Sequence, residues 1–176
     1  MDDNEKAIIV GAWVEAVGTI VSAIGSTPNT PVPVQTLEDF NLTGNTLQAT
    51  GNGILADSEN GTLEKTGSLI QAAGNSTIIY AILLILEDKS QKELFIKGNL
   101  LQAFGSSLAF VETLKERPGK SQLFLLYGSI LQAIGNVLQV FGDRAELLNE
   151  NGENVKALGS WIQAFGANLY AIGITL

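Results

Sequence analysis

The sequence predicts an all-α fold, six antiparallel helices in an up-and-down bundle built from six copies of one helix repeat. Three observations carry the prediction. The pattern G-x-x-x-Q-A-x-G recurs as GAWVEAVG from Gly11, GNTLQATG from Gly44, GSLIQAAG from Gly67, GNLLQAFG from Gly98, GSILQAIG from Gly128 and GSWIQAFG from Gly159. The first glycines lie 33, 23, 31, 30 and 31 residues apart, a period that marks one supersecondary unit used repeatedly, each copy unable to bury its apolar face alone. Short polar turns separate the copies, and short connections between helices of this length make neighbours antiparallel.

Each element has its own local signals. Residues 3–26 read as the first helix, with apolar residues at helical spacing and acidic residues in the first turn. STPNTPVPV, 26–34, stops it with three prolines and forms the longest linker. The second helix runs from about Thr36, a candidate N-cap, to Ser58, and is the weakest because Gly44, Gly51 and Gly53 lower its propensity. After the turn SENG, 58–61, a third helix continues to Leu86. The turn EDKSQ, 87–91, opens a fourth ending near Lys115; ERPGK, 116–120, leads to a fifth from Ser121 to Leu148; NENGEN, 149–154, leads to the last, which nearly reaches Leu176.

Composition narrows the function. A chain of 176 residues with 45% hydrophobic residues fits a single repetitive domain, 1–176, with material for a sizeable core. The net charge of -8 and the lack of any Lys/Arg cluster speak against nucleic acid, whose phosphates need neutralising cations. With no Cys and no His, thiol nucleophiles, the usual zinc sites and Ser-His or Cys-His relays are excluded by inventory; no catalytic, metal or cofactor-binding residue is expected. RPGKS, 117–121, has Leu114 where a P-loop needs its first glycine, and joins two helices rather than a strand to a helix. It reads as a turn with a cap at Ser121. Glu15 alone, with no second acid or base in equivalent positions, is a poor general acid or base. MDDNEK is acidic where a signal peptide wants positive charge, so a cytoplasmic, intracellular setting is expected and the sequons at Asn41, Asn60 and Asn75 carry little meaning.

Rotating the repeat by about 100° per residue from its first glycine sorts its faces. Large apolar residues fall at positions 2, 3, 6 and 10, for example Ile130, Leu131, Ile134 and Leu138, an arc of roughly 100° that reads as the core-facing stripe. One strip of glycine runs along its edge, positions 0 and 7 lying within about 20° of each other: Gly11, Gly44, Gly67, Gly98, Gly128 and Gly159 at position 0, with Gly18, Gly51, Gly74, Gly105, Gly135 and Gly166 at position 7. Each helical glycine costs about 1 kcal/mol against Ala, so these twelve need a packing reason, which is close approach of neighbouring backbones. Position 4 holds Glu15, Gln48, Gln71, Gln102, Gln132 and Gln163, predicted to form one polar layer at mid-height, hydrogen-bonded to itself or to backbone. Positions 1 and 8, opposite the stripe, carry Asn and Ser where a solvated face would carry Lys and Glu.

That neutral face suggests a self-association surface, and so a non-enzymatic structural or interaction protein whose partner is a second copy or another protein. A membrane-associated or membrane-inserting helical protein is the alternative. Thr66–Leu86, Ser121–Gly142 and Ala157–Leu176 lack charge altogether and reach spanning length, yet each carries Gln, Asn or Ser at its centre, and Lys and Arg show no bias between alternate loops. Trp13 and Trp161 share one repeat position in the first and last helices. Core packing accounts for them by default, and a contact closing the ring between terminal helices is the sharper expectation.

The GxxxQAxGN repeat, from which the first copy departs with Glu15, resembles an uncharacterised family of short repetitive proteins from endospore-forming bacilli. The resemblance implies an intracellular bacterial setting tied to sporulation, and supplies no activity or site.

Overall fold

The computed structural model describes residues 2–58, 62–84, 86–115, 117 and 119–176, and within them the chain forms six helices: α1 Asp3–Gly25, α2 Val34–Ser58, α3 Thr62–Leu83, α4 Asp88–Thr113, α5 Lys120–Leu147 and α6 Glu153–Thr175. The fold is all-α. Helix starts differ from the expected ones where backbone satisfies the orphan donors of the first turn. Pro33 accepts from the amides of Thr36 and Leu37 at 3.0 and 3.2 Å, so α2 begins at Val34 and Thr36 lies inside its first turn rather than capping it. Glu87 in extended backbone starts α4 within the stretch expected to be a turn, and α3 ends at Leu83, three residues before Leu86. Gly119 takes the N-cap position of α5; Ser121 instead donates to the Gly173 carbonyl at the end of α6, at 2.7 Å. The cap of α1 is a capping box between Asp2 and Glu5. Asn60 and most of the SENG turn lie outside the described residues.

Each helix packs on its chain neighbours and α1 packs on α6, closing a ring across which no helix backbone approaches another among the described residues. The glycines set the register. A Cβ added at Gly18 would lie 2.7 Å from the Gly44 carbonyl oxygen, and one at Gly44 2.7 Å from that of Gly18. The same reciprocal approach joins Gly11 with Gly51, Gly67 with Gly105, Gly74 with Gly98, Gly128 with Gly166, and Gly135 with Gly159, every distance between 2.5 and 3.0 Å. Only residues without side chains allow it. These pairs all fall within α1–α2, α3–α4 or α5–α6, so the ring is three tight hairpins. Its seam is held by the tryptophans: Trp13 Nε1 donates to Thr175 Oγ1 and Trp161 Nε1 to Thr27 Oγ1, both at 3.1 Å. Core packing of the two rings is overturned, since Trp13 is 38% and Trp161 44% exposed.

The inside and outside of the ring are exchanged relative to the expected core. Positions 2, 3, 6 and 10 face outward: Leu69, Leu100, Leu101, Phe104, Ile134 and Phe165 are exposed, and Ile130, Leu131 and Leu138 only half-buried. The buried arc runs instead over positions 0, 1, 4, 5, 7 and 8, that is Gly, Ser or Asn, Gln, Ala, Gly and Asn or Ser. Close glycine contacts draw the backbones together on that side, leaving room inside only for small residues and slender amides. The Asn and Ser faces read as self-association surfaces are therefore consumed within one chain. Among the described residues the buried hydrophobic set is alanines plus Leu55, Ile78, Leu125 and Tyr170, whereas 25 large hydrophobic side chains are exposed.

Candidate functional site

Since the interior of the ring is polar, the candidate site is its lumen. At mid-height Glu15, Gln48, Gln71, Gln102, Gln132 and Gln163 are all at most 7% exposed. The structure brings three of them into direct contact. Gln163 Nε2 donates to Gln48 Oε1 at 3.1 Å and to Gln102 Oε1 at 2.9 Å, bridging the three even-numbered helices across the axis. Gln163 Oε1 accepts in turn from Gln139 Nε2 at 2.9 Å, and Gln139 Oε1 from Ser160 Oγ at 3.1 Å. Gln71 accepts from Ser106 Oγ at 3.0 Å, while Gln132 Oε1 is buried without a partner. Glu15 is buried on α1, not near solvent.

Antiparallel register converts the repeat into further layers. Position 8 on odd helices and position 1 on even ones fall one turn to the same side of the glutamines, giving a ring of Thr19, Asn45, Asn75, Asn99, Asn136 and Ser160, each at most 4% exposed. On the other side Asn52, Ser68, Ser106 and Ser129 form a smaller layer, also buried. Beyond it the lumen is shut by apolar packing of Ala12, Ala16, Leu55, Ala167 and Ala171 with Ile8 and Ile174, and of Ala109 and Leu125 with Tyr170.

The opposite end is open. A cavity of about 200 Å³ descends from the rim, past Ser22, Asn41, Gln91 and Phe95, to a floor at Gln48, Gln102 and Gln163. Its rim carries a charge cluster that the repeat did not reveal. Lys156 Nζ lies 3.3 Å from Asp143 Oδ1 and 2.9 Å from Glu146 Oε1, and Asn99 Nδ2 donates to Asp143 Oδ2 at 3.2 Å. Burial pushes the Asp143 carboxyl up to about 6, against the pull of Lys156, with the Glu146 charge adding to the rise and Asn99 opposing it. Burial alone would lower Lys156, but the charges of Asp143 and Glu146 outweigh it and hold the ammonium above its usual value. Gln139, Asp143 and Lys156 escaped notice because they lie outside the eight-residue motif. Carrying the same rotation three to eight residues beyond either end of the motif sets them at roughly 20° to 60°, on the inner arc.

Among the described residues no group of three or more His, Cys, Asp or Glu side chains is placed to hold a metal ion. The lumen offers hydrogen bonds of both senses and one compact ion cluster at its rim. Compared with known proteins, residues 6–171 match a family of unknown function, DUF6944. The chain belongs to that family. No curated protein and no solved structure matches it.

Proposed function

We propose that this member of the family is a membrane-embedded, non-catalytic six-helix ring that turns an apolar belt to lipid and a polar lumen inward. The carrying observation is the inversion of the fold: 25 large hydrophobic side chains lie exposed among the described residues, against 22 buried polar or charged ones. In water such a belt costs roughly 25 cal/mol for every Å² left exposed. In a bilayer that cost vanishes, and buried polar groups with small-residue contacts are what holds helices together.

Other features agree. α1, α4 and α5 are long and apolar enough to cross a membrane. Apart from Glu15, buried in the lumen at mid-height of α1, charges gather towards the helix ends, and Asp143 and Lys156 lie just outside the uncharged stretches 121–142 and 157–176 that we take as the crossing parts of α5 and α6. The polarity of α2 is compatible with a span, because Asn45, Gln48 and Asn52 face the lumen. Outward hydroxyls are satisfied on their own helix: Thr46, Thr50, Ser76 and Thr77 each donate to the carbonyl four residues back at 2.8 Å. A bacterial host of the spore-forming kind fits the repeat, and the inner arc makes a scaffold within one chain rather than a self-association face.

Flotation tests the reading. Purified protein mixed with phosphatidylcholine–phosphatidylglycerol vesicles should rise with them through a density gradient and resist carbonate extraction. A monodisperse particle in detergent-free buffer that stays at the bottom of the gradient would overturn it.

A further inference from the structure

We propose that the open half of the lumen is a binding site for a small uncharged polyol. The site is a pocket rather than a through-passage, since its floor is the bridged trio Gln48, Gln102 and Gln163 and the far end is closed by Leu55, Tyr170 and the alanines around them. At about 200 Å³ it accommodates a molecule of several heavy atoms, given that a single water needs about 10–15 Å³.

The wall chemistry selects the class. Carboxamides supply a donor and an acceptor on one group, as do Ser hydroxyls, and a polyol hydroxyl needs both at once. Ile78, Ile82 and Phe95 line the remaining wall and suit the C–H edge of a polyol chain. Net charge is not what the site offers. Two ammoniums face two carboxylates, Lys156 beside Asp143 and Glu146 and Lys92 3.8 Å from Glu146, while Glu38 stands at the exposed rim. Around the mouth the N-termini of α2, α4 and α6 alternate with the C-termini of α1, α3 and α5, so the helix dipoles cancel in sum.

In the same ring as the lining residues Asn45 and Asn99, both side-chain polar atoms of Asn75 and the Nδ2 of Asn136 have no partner, although Asn75 is 1% and Asn136 0% exposed. Neither residue lines the cavity, so a guest is held by the lining amides of Asn45, Asn99, Gln48, Gln102 and Gln139 and not by these two.

The inference does not depend on what surrounds the belt, so it is tested apart from flotation. Full-length protein in dodecylmaltoside micelles is titrated with xylitol and read by saturation-transfer NMR, with potassium acetate and choline chloride as smaller charged probes that the cavity has room for. Saturation should pass to xylitol and not to acetate or choline. Asn99→Leu should weaken xylitol binding roughly fivefold to tenfold, the value of a lost hydrogen bond. Ser26→Leu, which fills the throat well away from the glutamine trio, should do the same with an unchanged circular dichroism spectrum. No transfer to xylitol beyond that in empty micelles, equal transfer to the charged probes, or full binding in both variants would each overturn the site, whether or not the protein floats with vesicles.

Discussion

At the scale of single residues, glycine and glutamine divide the work of the repeat. A Cβ at Gly135 would lie 2.5 Å from the Gln163 amide nitrogen and 2.5 Å from the Gly159 carbonyl oxygen, both backbone atoms that cannot swing aside. Gly53, in the same kind of helix, meets nothing within 4 Å. Gly135→Ala should therefore destabilise by about 1–3 kcal/mol or more through forced separation of α5 and α6, whereas Gly53→Ala should stabilise by up to about 1 kcal/mol from helix propensity alone. Thermal melts of the two variants decide it, and equal responses would remove the close-contact explanation. The glutamines are likewise unequal despite their identical motif. Gln163→Leu strands Gln48 Oε1 and Gln102 Oε1, at a cost of roughly 1–3 kcal/mol for each group left unpaired, and leaves Gln139 Nε2 with Asn136 Oδ1 alone. Gln132, whose Oε1 already lacks a partner, should tolerate Leu with a clearly smaller loss of melting temperature. A layer in which both changes cost the same would contradict a hub at Gln163.

At the scale of elements, the repeat spacing made the six helices and their antiparallel order legible, and rotation about the helix axis grouped each face correctly. What it left open was which face points inward. A hydrophobic period is blind to sign: Ile130, Leu131, Ile134 and Leu138 make one stripe whether it meets protein or lipid, and the habit of water-soluble proteins assigns it to the core. The deciding signal was the opposite face, where Asn136, Ser129 and their equivalents stand in place of the Lys and Glu of a solvated helix. The rim cluster of Asp143, Glu146 and Lys156 was illegible for another reason, since it joins residues of two helices that share no motif position. It also gives that corner a pH dependence. The folded Asp143 carboxyl titrates near 6 rather than 3.8, so the fold binds its proton more tightly than the unfolded chain. Its contribution is then fully present below about pH 4 and is lost as pH rises through 6, a change of about 3 kcal/mol. Asp143→Asn removes that titration while keeping an acceptor for Asn99. Relative to wild type, the variant should gain stability between pH 4 and pH 7, read from melts across the range; a constant difference would mean that Asp143 stays ionised throughout.

At the scale of the whole molecule, a closed ring with an even number of helices fixes a topology once it is set in a bilayer. The ends of α1, α3 and α5 and the starts of α2, α4 and α6 lie at the open mouth of the lumen, while the first residues of α1, the last of α6, the end of α4 and the start of α5 lie at the plugged end. Both ends of the ring's chain should thus face one compartment and the vestibule the other. The sequence contains no cysteine, so single reporters can be introduced into an otherwise unreactive background. Asp2→Cys and Lys115→Cys, both at exposed positions of the plugged end, and Asn151→Cys, exposed at the mouth, change no contact of the lumen. In sealed proteoliposomes of uniform orientation, a membrane-impermeant maleimide should label Asp2→Cys and Lys115→Cys together and exclude Asn151→Cys, or the reverse, with all three reacting once detergent opens the vesicles. Labelling of all three in intact vesicles would place the ring on the membrane surface rather than across it. Opposite labelling of Asp2→Cys and Lys115→Cys would mean that an odd number of helices crosses between α1 and the end of α4, which the closed ring of six cannot provide.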